Sequence, residues 1–154
     1  MRVLVFDSSL CTGCHTCEET CSRTWFKVGD RGLSSIQIVG PEGEGPYQAI
    51  ICTQCGECID VCPTQALSRA VNGVVRRDLS LCVGCLACVG FCRVGAEHGT
   101  AAMRAHPSVV EPFKCVACGS CARACPEGAL EVITVEDAPP TATERFAQRA
   151  GEGR

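Results

Sequence analysis

CTGCHTCEETC, residues 11–21, sets cysteines at 11, 14, 17 and 21, in steps of three, three and four. The same steps recur in CTQCGECIDVC (52–62), CVGCLACVGFC (82–92) and CVACGSCARAC (115–125). All 16 cysteines of the 154-residue chain fall in these four sets, so no thiol is spare. A composition this rich in cysteine points to a disulfide scaffold, a metal protein or a cluster protein before any ordinary globular class. Aromatic residues make up only 5%, so the apolar mass is small and some other staple is expected to hold the fold.

Disulfides suit the pattern poorly, because four sulfurs within eleven residues would close tiny loops that remove little unfolded-state entropy. The opening MRVLVFDSSL reaches Cys11 with no room for a secretory leader. It therefore predicts a cytoplasmic protein, in a reducing compartment where disulfides do not persist. No run of about 18 apolar residues predicts a membrane span. Zinc uses CxxC pairs from two distant segments, which leaves the third and fourth cysteine of each set without a purpose.

A [4Fe-4S] cubane uses every position. Cysteines at i, i+3 and i+6 let one tight loop wrap three iron corners, and the fourth iron faces away from that loop. The fourth cysteine lies four residues further on, about one helical turn of roughly 5.4 Å, and is carried toward a second cluster. Sixteen thiolates thus predict four [4Fe-4S] clusters in cross-ligated pairs. The formal net charge of −3 counts each thiol as neutral. Four oxidised cubanes, each bringing two negative charges with its thiolates, would take the protein to roughly −11. Such a charge favours a basic partner face and disfavours nucleic acid.

Four sets can pair in three ways. RVLVFD (2–7) and LEVITVE (130–136) read as strands at the two ends, and their pairing would join the first and fourth sets. Asn72-Gly73, between the second and third sets, predicts a two-residue hairpin turn with positive φ at both residues. These features favour a nested arrangement. Cys52, Cys55, Cys58 and Cys92 then hold one cluster, and Cys82, Cys85, Cys88 and Cys62 its neighbour. Cys11, Cys14, Cys17 and Cys125 hold a third, and Cys115, Cys118, Cys121 and Cys21 the last. A tandem arrangement, first with second and third with fourth, stays open on these grounds. The expected fold is α+β, two ferredoxin-like two-cluster modules with small antiparallel sheets and short helices. Residues 1–46 plus 106–137 form the outer module, 47–105 the inner, and 138–154 a polar tail with a short helix after Thr141. GPEGEGP (40–46) reads as a loop.

Cys62-Pro63 and Cys125-Pro126 complete the C-x2-C-x2-C-x3-C-P run of bacterial two-cluster ferredoxins, which the chain resembles from Cys11 to Pro126. Ser22 and Arg93 stand where proline would stand in the other two sets, leaving the local turn open. Asp7, CTGCHTCEETCS, Ser35-Ile36-Gln37-Ile38 and ICTQCGECIDVCPTQAL, in that order, resemble the four-cluster electron-transfer subunits of certain oxidoreductases. Those subunits accompany formate dehydrogenases, hydrogenases, carbon monoxide dehydrogenases and tungsten aldehyde oxidoreductases. The resemblance implies the nested wiring and a large catalytic partner. All four sets here are compact, which points among these toward tungsten aldehyde oxidoreductases and related aromatic-degrading reductases.

The expected function is therefore non-catalytic: an iron-sulfur subunit passing electrons between a tungsten or molybdenum catalytic subunit and a flavin subunit or ferredoxin. A freely diffusing polyferredoxin is the alternative, and a structural metal module or redox sensor the third reading. Repeated cluster pairs also permit self-association into a conducting filament. His15, His98 and His106 have no nucleophile pattern beside them. His15 is a candidate donor to a cluster sulfur, against the plainer reading of a solvated side chain. Trp25 and Phe26 suit packing beside a cluster or a docking surface, and Phe146 a partner helix or a frayed end. With so little apolar mass, loss of iron is expected to abolish ordered secondary structure.

Overall fold

The computed structural model describes residues 1–40, 46–98, 103–106 and 109–136. Most of the expected 40–46 loop, and the tail with its helix and Phe146, lie outside the described residues. Among the described residues, eight strands form four two-stranded antiparallel sheets, joined by five short helices, an α+β architecture.

The two ends of the chain pair. Strand β1 (Arg2–Phe6) lies antiparallel to β8 (Leu130–Thr134), with Arg2 opposite Thr134 and Phe6 opposite Leu130. Helix α1 (Thr16–Phe26) packs on α5 (Ser120–Ala124), so the first and last cysteine sets face one another. Strands β2 (Gln37–Val39) and β3 (Gln48–Ile50) make a second hairpin. Helices α2 (Glu57–Asp60) and α3 (Ala87–Gly90) pack together beside the hairpin β4 (Leu67–Arg69) and β5 (Val75–Arg77). Helix α4 (Arg93–His98) follows α3, and β6 (Arg104–His106) pairs with β7 (Val109–Phe113) through an irregular register.

The hairpin between the second and third sets forms, but its turn is one residue longer than Asn72-Gly73 predicts. Gly73 N donates to Ala70 O at 2.8 Å and Ala70 N to Val74 O at 2.9 Å. The loop is therefore Val71-Asn72-Gly73, with positive φ at Gly73 and not at Asn72. A three-residue loop closed by a left-handed glycine is the next most common hairpin after the two-residue form. Asn72 Oδ1 accepts from Val74 N instead, at 3.2 Å. A β-carbon on Gly73 would also meet Met1 at 2.7 Å, and Arg2 N donates to Asn72 O, so this turn carries the start of β1.

Proline accounts for two of the helix ends. α2 and α5 end before Cys62-Pro63 and Cys125-Pro126, because proline disfavours helical backbone at the residue before it; Cys125 is extended, φ −70 and ψ 117. Where proline is missing the outcomes differ: α1 runs on through Ser22 to Phe26, whereas α3 still stops at Gly90 and a separate helix, α4, starts at Arg93.

Two separate cores form around buried cysteines. Cys17 and Cys121 share one with Leu4, Ile36, Ile38, Ile51 and Leu130. Cys58 and Cys88 share the other with Leu67, Val75 and Met103. Cys52 and Cys92 pack on a small third cluster of Ile50 and Val94.

Candidate metal centres

Each CxxCxxC loop has two left-handed residues, one before and one after its second cysteine. They are Gly13 and His15, Gln54 and Gly56, Gly84 and Leu86, and Ala117 and Gly119. For non-glycine residues this backbone costs about 1–2 kcal/mol each, a cost that persists only where the surroundings impose it. Alternating handedness turns successive N–H groups inward as an anion-binding nest, the backbone form found at many iron-sulfur sites. The residue after the second cysteine is also the N-cap of α1, α2, α3 or α5. The third cysteine therefore enters a helix, and it is the buried one in every set: Cys17, Cys58, Cys88 and Cys121.

All sixteen thiols are free. Three cavities collect twelve of them. One is lined by Cys11, Cys14, Cys17 and Cys125, a second by Cys62, Cys82, Cys85 and Cys88, and a third by Cys21, Cys115, Cys118 and Cys121. The same set of four sulfur donors in each calls for the same guest. Cys52 has Cys55 and Cys92 as electrostatic neighbours, and Cys58 has Cys52 and Cys55. Among the described residues, no three donors converge as a single metal ion requires. A tetrahedral zinc would hold its sulfurs only ~3.8 Å apart. The thiols instead line the walls of a space, which fits a cubane.

Burial pushes the thiols of Cys17, Cys58, Cys115 and Cys121 up to about 12. Neutral buried thiols of this kind become stable as thiolates only against a cationic metal core. Hydrogen bonds act the other way. Thr16 lowers Cys14. At Cys118 burial pushes upward, but Ser120 and the Trp25 side chain outweigh it; at Cys62, Thr64 and the N–H groups of Ala66 and Leu67 do the same. Three of the fourth cysteines accept an N–H from beyond their own set: Cys21 from Ser35 at 3.4 Å, Cys62 from Ala66 at 3.3 Å and Cys92 from Met103 at 3.5 Å.

The other candidates fall as follows. His15 Nδ1 lies 2.7 Å from Arg31 Nη2 and 2.9 Å from Glu18 Oε2, while Arg31 Nε donates to Glu18 at 2.6 Å. An arginine only donates, so its fork bridges His15 and Glu18, and Nδ1 serves as an acceptor, which leaves Nε2 as the donor of the neutral ring. Trp25 lines the Cys115 cavity yet keeps 52% of its surface exposed, so both expectations for it meet in one residue. Phe26 packs edge-on against Phe113 at 5.0 Å. One motif escaped notice. Asp7-Ser8-Ser9-Leu10 and Asp78-Leu79-Ser80-Leu81 precede Cys11 and Cys82 alike. In each, the aspartate accepts from the serine N–H and hydroxyl, at 2.9 and 2.6 Å in one and 2.8 and 2.6 Å in the other. The Asp-x-Ser-Leu-Cys repeat was visible in the sequence.

Families described as 4Fe-4S dicluster domain match residues 10–66, 46–93 and 74–126. The chain belongs to the 4Fe-4S dicluster proteins. It carries ligands for four [4Fe-4S] clusters. Each matched window takes two sets that are consecutive in sequence, which registers their spacing and not which sets share a cluster. Among curated relatives of this dicluster protein is the NADH-dependent phenylglyoxylate dehydrogenase subunit beta of Aromatoleum evansii. It is 35% identical over 136 residues, covering 85% of this chain and 30% of the relative. Formate hydrogenlyase subunit 2 of Escherichia coli K12 is 39% identical over 97 residues, 62% of this chain and 46% of the relative. Protein NrfC of the same organism is 32% identical over 154 residues, 87% and 66%. The chain thus spans from under a third to about two thirds of the length of these relatives. Among solved structures, the active site complex BamBC of benzoyl coenzyme A reductase contains a chain that aligns with a TM-score of 0.51. That match has 16% identity and covers 100% of this chain and 91% of the other, a likeness of fold. No helix among the described residues is long and apolar enough to cross a membrane.

Proposed function

We propose that this dicluster protein is a non-catalytic electron-transfer subunit of a multisubunit oxidoreductase, with its four clusters wired in nested pairs. The observation that carries it is the lining of the three cavities, each by three cysteines of one set and the fourth of a distant set. The first and fourth sets exchange their last cysteines, as do the second and third. The cages are those named from the sequence, and residues 1–46 with 106–137, and 47–105, are the two modules. Bound [4Fe-4S] clusters supply one-electron storage and transfer.

The chain sets the order of the relay. Cys17 and Cys121 are electrostatic neighbours, as are Cys115 and Cys52, and Cys58 and Cys88. The cages then follow one another as Cys11, Cys115, Cys52 and Cys82. Cys14 and Cys85, the exposed cysteines, lie in the two terminal cages, where electrons enter and leave. The partner is a large catalytic subunit, in keeping with relatives named as subunits of formate hydrogenlyase and phenylglyoxylate dehydrogenase. A tungsten or molybdenum enzyme is the first to seek, with a flavin subunit or ferredoxin at the other end. The tungsten aldehyde oxidoreductase partner rests on the sequence resemblance alone.

Cys92→Ala tests the wiring. Nested pairing predicts loss or conversion of the Cys52 centre, with the Cys115 centre intact. Iron and sulfide counting measures the loss. Trp25, the single tryptophan, borders the Cys115 cavity and reports which centre remains. Its emission stays quenched under nested pairing and rises under tandem pairing. Anaerobic purification with analysis for tungsten and molybdenum tests the partner; a small protein free of any catalytic subunit would support the polyferredoxin reading instead.

A further inference from the structure

The four sets are copies of one pattern, so positions where one copy departs from the rest isolate what that copy does differently. The residue before the first cysteine is Leu10, Ile51 and Leu81 in three sets, and Lys114 in the fourth. The left-handed residue before the second cysteine is Gly13, Gly84 and Ala117 in three loops, and Gln54 in the other. Both departures meet at one place, between Cys52 and Cys115.

Lys114 Nζ donates to Gln54 Oε1 at 3.3 Å and to Cys115 O at 3.2 Å. Gln54 is only 1% exposed. Its Nε2 donates to Cys115 O at 2.9 Å, and its Oε1 also accepts from Val75 N at 3.0 Å. Arg69 fixes the loop from behind, donating to Gln54 O and Cys55 O, each at 2.9 Å. The ammonium is thus pinned at a set place. Its charge bears on Cys52, Cys58 and Cys115, which belong to the two central cages. The main charges bearing on Cys17 and Cys88, in the terminal cages, come from Glu18 and other cysteines, although Arg77 lines the Cys82 cavity.

We propose that Lys114, held by Gln54, is an electrostatic tuning residue that raises the reduction potentials of the two clusters flanking the module junction. Each cluster gains one electron and one unit of negative charge on reduction. A fixed cation nearby stabilises the reduced form, and net charge is one of the levers on cluster potential. Partial burial of the junction keeps salt from screening the effect away. Gln54 is the positioning residue: it supplies the acceptor that holds the ammonium and ties it to the second loop. The inference rests on the cage assignment above.

Potentiometric titration of the whole four-cluster protein, followed by electron paramagnetic resonance with dithionite as reductant, tests it. Iron and sulfide counts first establish four clusters in each variant. In Lys114→Met, two of the four potentials become more negative and two stay; Lys114→Gln moves the same two in the same direction. Lys114→Arg keeps all four near their original values. Adding Cys92→Ala to Lys114→Met leaves a single moved potential, which assigns the other to the Cys52 cage. Four unmoved potentials in a fully loaded Lys114→Met protein, or an equal shift of all four, would overturn the proposal. So would a shift in Lys114→Arg as large as that in Lys114→Met. An error in the cage assignment shows separately, as the wrong centre lost in Cys92→Ala alone.

Discussion

Glu18 is 4% exposed beside Cys17, and three groups surround its carboxylate: Ile38 N donates at 2.7 Å, Arg31 Nε at 2.6 Å, and His15 Nδ1 lies at 2.9 Å. It ties α1 to β2 and so closes the wall of the first cage. Glu18→Ala leaves the buried Ile38 N–H without an acceptor, a loss of about 1–3 kcal/mol. The expected outcome is a lower midpoint for thermal bleaching of the cluster absorbance, with Glu18→Gln falling between the two because its amide oxygen still serves Ile38. A bleaching curve for Glu18→Ala that overlays the unsubstituted protein would show the carboxylate to be dispensable. At this scale the cluster motifs were legible, since steps of three, three and four suit a [4Fe-4S] cluster and leave zinc with cysteines to spare. The role of Glu18 was not, because its partners lie 13 and 20 residues away and no local pattern marks a buried acid. The Asp-x-Ser-Leu-Cys turns are the opposite case, a local hydrogen-bonded motif repeated in plain view.

The elements differ in how far sequence reached them. β1 and β8 were readable because five-residue runs of β-branched and aliphatic side chains have few other uses. The three-residue strands β2 and β3 were not: Gln37-Ile38-Val39 and Gln48-Ala49-Ile50 are too short to set a period, and pairing with each other makes them strands. The missing prolines were read as an open local geometry; at Ser22 the helix extends, whereas at Arg93 α3 has already ended and a new helix begins. Ser22 lies in α1 fully buried, its hydroxyl bonded to Glu19 O at 3.1 Å. Ser22→Pro would remove a helical N–H and drive the ring into the preceding turn, at about 3 kcal/mol or more. The first set would then end as the second and fourth do. Trp25 would leave the Cys115 cavity and Phe26 its contact with Phe113. The measurement is tryptophan emission at matched iron content, expected to be brighter in Ser22→Pro than in the unsubstituted protein. Equal quenching would mean that the helix end does not position Trp25.

For the molecule as a whole, what the sequence could not supply is how the second and fourth cysteine loops and the chain's start meet. That junction depends on a turn landing on Met1 and on one glutamine reaching another loop, contacts far apart along the chain. The same long-range dependence bears on how the protein folds. Cys17, Cys58, Cys115 and Cys121 are pushed by burial from an ordinary 9.0 to about 12 in the folded chain without clusters. Raised thiols favour that folded form below pH 9, and the contribution is lost as pH climbs through 12. Ligation demands thiolates, so each cysteine that takes iron releases its proton, and assembly strengthens with pH while the free thiols remain protonated. If the cluster-free chain kept its fold, the gain would continue toward pH 12 at these four positions. If it is disordered, as its small apolar mass predicts, the reference thiols titrate near 9 and the gain flattens there. Chelator competition between pH 7.5 and 10.5 (roughly 1.5 units either side of the free-thiol value), with circular dichroism of the iron-free chain, reads the difference. The expected outcome is a plateau from about pH 9 and little ordered secondary structure without iron. A gain that continues past that point, in a chain whose dichroism survives iron removal, would mean that the cages are preformed and the clusters only fill them.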